Sequence, residues 1–165
     1  MNLHEEKEKE KEKDVFEDDS TFDNLITTKF TANTKARRVL IIDDDADLCE
    51  SIKFIIESYG NSICDVVADP YEALLLLSDH HYDFVMVDQK MPGLKGAEVL
   101  ARVDSAAQLD PLMVDANHYG DAVPVVLMSG SRISLPEKYK LKNFKLMEVL
   151  HKKDLLKFLS LNFAS

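Results

Sequence analysis

From Arg37 onward, short runs of consecutive apolar residues alternate with segments whose apolar positions recur every three or four residues. This is the pattern of a parallel sheet flanked by helices. Val39 to Ile42 is β-branched and apolar on successive residues, as a strand covered on both faces requires, and it ends at Asp43. Leu48, Ile52, Ile55, Ile56 and Tyr59 then fall on one helical face, with Gly60 where a C-terminal cap belongs. A second strand is predicted from Ile63 to Ala68. Asp69 and Pro70 follow as N-cap and first residue of a second helix reaching Leu77.

Phe84 to Val87 predicts a third buried strand, ending in Asp88, and Met91 to Gly96 predicts a loop before a helix from Ala97 to about Val103. Val125 to Met128 predicts a fourth strand that delivers Ser129 and Gly130. Pro136 opens a predicted fourth helix running to about Lys142, Leu146 to Leu150 a fifth strand, and Leu155 to Leu161 the last helix. The expected fold class is α/β, a doubly wound five-stranded parallel sheet flanked by five helices. Between Val103 and Pro124 the connection exceeds the few residues usual in such folds, so residues 104–123 read as an insertion.

Residues 1–36 break this rhythm. A Glu/Lys run is followed by an acidic, Ser/Thr-rich stretch with scattered apolar residues, expected to be disordered or loosely docked. Docking would involve Phe16, Phe22, Leu25, Ile26 and Phe30. The chain's 165 residues therefore leave room for one domain over residues 37–165 plus this tail, and no separate output domain is expected.

The formal net charge of -10 disfavours nonspecific binding to nucleic acid or to anionic membrane. Residues 39–131 hold 17 acidic and 4 basic side chains, whereas residues 132–165 hold 3 and 8. The basic segment predicts an acidic partner surface. The aliphatic stretches fall far short of the roughly 20 residues needed to span a bilayer, and the first residues carry no apolar signal core. A cytoplasmic location is expected, with Cys49 and Cys64 as reduced, buried thiols.

In open α/β sheets ligands bind outside the carboxyl ends of the strands. There the predicted strands deliver Asp43, Asp44 and Asp45, then Asp88, then Ser129, then His151, Lys152 and Lys153. Adjacent carboxylates repel unless a cation neutralises them, and a hard divalent ion such as Mg²⁺ suits an all-oxygen set. A lysine and a hydroxyl beside it suit a phosphoryl group.

This constellation resembles the receiver domain of two-component response regulators, a flavodoxin-like fold, over about residues 37 to 163. Asp43 and Asp44 match the family's acidic pair, and Asp88, within Val-Asp-Gln-Lys-Met-Pro-Gly-Leu-Lys-Gly, matches its phospho-accepting aspartate. Ser129 matches the Ser/Thr after strand four and Lys152 the lysine after strand five. The resemblance implies a single-domain regulator that takes a phosphoryl group on Asp88 from a phosphohistidine. The donor would be a sensor histidine kinase or a histidine phosphotransfer protein. Asp43, Asp44, Asp88 and the Lys90 backbone carbonyl would hold Mg²⁺, with Mn²⁺ as a substitute. Output would go through a further protein, with neither nucleic acid nor membrane as partner and no enzymatic turnover beyond its own phosphorylation and dephosphorylation.

The sequence also departs from the family. Lys153 replaces the proline that commonly follows the lysine, so Lys152 and Lys153 compete for one role, with spacing favouring Lys152. Val149 stands where an aromatic switch residue is usual. Lys90 and Ser131 occupy positions that tune acyl-phosphate lifetime. Asp45 and Asp47 read equally well as solvated caps, Asp47 as N-cap of the first helix. Two alternatives stay open. Ile41 to Asp45 also fits the Asp-x-Asp motif of haloacid dehalogenase-type phosphatases, although that leaves Asp88 and the Met-Pro-Gly loop unused. A pseudo-receiver that only docks partners is the other.

Overall fold

The computed structural model of the chain describes residues 35–109, 121–133, 135 and 139–164. Five strands form one parallel sheet in the order β2-β1-β3-β4-β5: β1 Arg37–Ile42, β2 Ser62–Val67, β3 Phe84–Asp88, β4 Val123–Ser129 and β5 Phe144–His151. The helices are α1 Ala46–Ser58, α2 Pro70–Asp79, α3 Gly96–Leu109 and α4 Leu155–Phe163, the last entered through a 3₁₀ turn, Lys152–Asp154. Successive side chains of a strand point to opposite faces, and here both faces are covered. Leu40, Ile42, Val85, Val87, Val125 and Leu127 pack with residues of α2 and α3. Val39, Ile41, Phe84, Met86, Val126 and Met128 pack with α1 and α4 on the other side. The unbroken apolar runs of the sequence are thus two interleaved half-sets, one for each layer.

The starts of α1 and α2 are set by side-chain caps. Asp45 Oδ1 accepts the Leu48 N–H at 3.0 Å, so Asp45 caps α1 and Asp47 lies in its first turn rather than at the cap. Asp69 accepts the Tyr71 N–H at 2.8 Å, with Pro70 as the first residue of α2. Gly60 ends α1 at φ +85°, a conformation glycine adopts without steric cost. Cys49 and Cys64 are free and buried, and burial pushes both thiols up to about 12.

Two expectations change. α3 runs to Leu109 rather than ending near Val103, so the start of the predicted 104–123 insertion is helix. Four helices, not five, are found among the described residues, and Tyr139 to Lys142 is not helical. Its polar groups are engaged outside any helix of its own. The Tyr139 hydroxyl donates to the Ala97 carbonyl at 2.8 Å, and the Lys142 and Asn143 N–H groups both donate to Asp104 Oδ1, at 2.9 and 2.6 Å. Asp104, buried on α3, thereby ties the entry of β5 to that helix. The expected loose tail over residues 1–34, residues 110–120 of the insertion and the helix start at Pro136 lie outside the described residues.

Asp104→Ala strands two N–H groups, which costs roughly 1–3 kcal/mol each when buried and unsatisfied. A loss of about 2 kcal/mol is expected in urea unfolding. A variant as stable as the parent would show that water satisfies both groups.

Candidate functional site

The site lies where β1, β3, β4 and β5 end. β1 delivers Asp43, whose N–H donates to the Val67 carbonyl of β2 at 3.2 Å and whose side chain is fully buried. Asp43 Oδ1 accepts the Asp45 N–H at 3.1 Å, and its carbonyl accepts from Cys49 Sγ at 3.4 Å. β3 delivers Asp88, which is 2 % exposed and whose Oδ2 accepts the Lys90 N–H in a short hydrogen bond. Asp44 is exposed at the rim. One carboxylate oxygen from each of Asp43, Asp44 and Asp88 lies within 4.8 Å of the others.

Lys152 closes this cluster. Its Nζ lies 2.7 Å from Asp43 Oδ2 and 2.8 Å from Asp88 Oδ1. The carboxylates thus share one ammonium that reaches in from the 3₁₀ turn after β5. Lys153, its competitor by sequence, is exposed, and its N–H donates to His151 Nδ1 at 3.2 Å. Burial works against the charged Lys152 ammonium, but the Asp43 and Asp88 carboxylates outweigh it and hold its pKa above the ordinary 10.5. Burial also raises the Asp43 carboxyl above its ordinary 3.8, with the Asp88 charge adding to it. Lys152 and the Asp45 N–H offset only part of this.

Ser129 is the last residue of β4, 1 % exposed, and stands opposite His151 in the β4–β5 register. Its Oγ accepts the Ser131 N–H at 3.3 Å. Asp88 pairs with Met128, so Ser129 lies one residue further along the neighbouring strand. Among the described residues nothing lies within 4 Å of where a Cβ on Gly130 would go. Val149 is on β5 and 39 % exposed.

The loop after Asp88 is fixed more tightly than its composition suggests. The Gln89 N–H donates to the Met128 carbonyl at 2.8 Å, its carbonyl accepts from Gly96, and its Oε1 accepts the Ala97 N–H at 3.0 Å. A Cβ on Gly96 would lie 2.4 Å from the Asp88 carbonyl oxygen, so any side chain there forces the loop away from the acidic residue. Gly93, at φ +85°, is the loop glycine that needs its backbone angle. Both glycines fall within the loop predicted from Met91 to Gly96, and the roles of Gln89 and Gly96 go unseen in the sequence. Their signal would have been the short interval between a strand end and a helix start, which forces close backbone approach.

The donor set fits a hard divalent cation. All three side chains are carboxylates, and two of them, Asp43 and Asp88, are buried with one ammonium between them to balance their charge.

A family model described as the response regulator receiver domain matches residues 39–157, and the chain belongs to that family. The DNA-binding response regulator MtrA of Mycobacterium tuberculosis is 32% identical over 97 residues, covering 58% of this chain and 40% of that protein. Transcriptional regulatory protein FixJ of Bradyrhizobium diazoefficiens is 28% identical over 106 residues, covering 64% and 51%. The chain therefore spans about two-fifths to half the length of these curated relatives. Among solved structures, a CheY-like receiver domain protein from Methanospirillum hungatei shares the fold at a TM-score of 0.56 and 22% identity, over 78% of this chain and 94% of that one. Response regulator TrrA of Thermotoga maritima, solved with Mg²⁺ and beryllofluoride, does so at 0.53 and 21%, over 74% and 98%. No helix among the described residues is long and apolar enough to cross a membrane.

Because its carboxyl pKa is raised by folding, Asp43 contributes stability that is full below 3.8 and lost as the pH rises through the folded-state value. Asp43→Asn mimics the protonated form. In buffer free of divalent cations it is expected to exceed the parent in stability at pH 7 by on the order of 1 kcal/mol. The gap should close as pH falls toward 4. Urea unfolding at the two pH values checks this, and a less stable variant at pH 7 would contradict it.

Proposed function

We propose that this receiver accepts a phosphoryl group on Asp88 from a phosphohistidine of a sensor histidine kinase or histidine phosphotransfer protein, and signals through contact with another protein. The observation that carries this reading is the Lys152 ammonium within 2.8 Å of both Asp43 and Asp88, with Asp44 beside them at the strand ends. An Asp88 carboxylate oxygen forms the new O–P bond as the N–P bond of the phosphohistidine breaks. The electron pair returns to the donor imidazole, which takes up a proton from solvent.

Asp43, Asp44 and Asp88, with the Lys90 backbone carbonyl, would hold Mg²⁺, with Mn²⁺ as a substitute. When bound, such an ion neutralises carboxylate charge and stabilises the negative charge on the transferring oxygens. The other contributions come from the chain itself. The Lys90 N–H orients Asp88 through Oδ2. Lys152, already beside Asp88 Oδ1, needs only a small movement to pair with the incoming phosphoryl group. Ser129, buried one residue beyond the strand partner of Asp88, supplies a hydroxyl that couples the phosphoryl group to β4.

The protein is thus a phospho-acceptor rather than a turnover enzyme, and a phosphohistidine donor places it in the cytoplasm. Its own residues give no case for nucleic-acid binding. The relatives named as DNA-binding or transcriptional regulators match over 40% and 51% of their length, and DNA binding is said of those proteins alone. The basic residues 132–165 favour an acidic partner face.

Incubation with acetyl phosphate and Mg²⁺ is expected to add one phosphoryl group to the parent and none to Asp88→Asn, read by intact mass at neutral pH. Asp44→Ala should slow labelling by at least about tenfold. Labelling of Asp88→Asn at the parent rate would overturn the assignment.

A further inference from the structure

We propose that His151 is a positioning residue for Lys152, acting through its ring Nδ1. This rests on the role given to Lys152 above. Lys152 reaches the carboxylates from the first residue of a three-residue 3₁₀ turn, which by itself is a weakly held element. Its two ends are held differently. On one side His151 is the last residue of β5, locked to the sheet opposite Ser129. On the other, Leu155 is buried at the start of α4.

Between these anchors, the first N–H groups of a helical turn have no partner within it. A proline after Lys152 would remove one of those donors and fix the backbone. Lys153 does neither and leaves its N–H to be satisfied. His151 Nδ1 accepts that N–H at 3.2 Å, capping the turn across Lys152. The bond requires an unprotonated Nδ1, so in the neutral ring the proton sits on Nε2. The triplet His151-Lys152-Lys153 thereby holds its turn through a side-chain hydrogen bond. The residue it spans is the one whose ammonium lies 2.7 Å from Asp43 and 2.8 Å from Asp88.

The geometry distinguishes the two ring nitrogens, and so does the test. Asparagine places an acceptor at the Nδ1 position and is a strong capping residue, whereas glutamine places its amide further out, nearer Nε2. The affinity of the full chain for beryllofluoride at saturating Mg²⁺ is measured for the parent, Lys152→Ala, His151→Ala, His151→Asn and His151→Gln. His151→Ala is expected to weaken binding about fivefold, the size of one lost capping bond. His151→Asn should return it to within about twofold of the parent, and His151→Gln should stay weak.

Equal affinities for His151→Ala and the parent, or equal rescue by asparagine and glutamine, would overturn the inference while Lys152→Ala remains impaired. If Lys152→Ala binds as the parent does, the role of Lys152 itself fails, and the inference with it. Should His151→Ala fold poorly, the contrast between the asparagine and glutamine variants still decides the question.

Discussion

Two buried carboxylates at the ends of adjacent strands cannot both carry charge in a protein interior without a nearby cation. In this chain the cation is the ammonium of Lys152, within 2.8 Å of Asp43 and Asp88. Much of the local architecture serves that contact. β1 and β3 are neighbours in the sheet, which brings the two aspartates together, and β5 ends in a turn that sends the lysine across β4 to reach them. The raised pKa values of Asp43 and Lys152 express one balance: burial penalises each charge, and each gains from the other.

The arrangement is poised rather than saturated. One ammonium serves both Asp43 and Asp88, Asp44 sits exposed at the rim, and among the described residues Ser129 Oγ accepts a long bond from its own loop. Asp44 and Ser129 can take a new partner without breaking a strong old one. The loop after Asp88 is the opposite. Gln89 ties it to β4 and to α3, and Gly96 lets the helix start press against the Asp88 backbone. A rigid loop beside loosely committed side chains suits a site that binds a small anion and passes the change into the sheet.

The strands were legible because consecutive apolar runs of this length have few other uses, and the Asp69-Pro70 start was legible because capping is local chemistry. The segment from Tyr139 to Lys142 was not. Pro136 suits a helix start, yet the Tyr139 hydroxyl and the Lys142 and Asn143 N–H groups are taken by the Ala97 carbonyl and by Asp104, some forty residues away in the chain. The α1 cap fell to Asp45 rather than Asp47, a choice between neighbouring carboxylates that side-chain spacing alone leaves open.

By itself the sequence determined that the sheet is parallel and covered on both faces. It also determined that Asp43, Asp44, Asp88, Ser129 and a lysine emerge at the carboxyl ends of its strands. Both follow from periodicity and from where each apolar run stops. Only the tertiary structure decided that Lys152 and not Lys153 points inward, that His151 caps the turn between them, and that Gly96 is needed for close approach. The direction of a side chain leaving a turn, and the clearance between two backbones, depend on distances between elements remote in sequence, which no local pattern encodes.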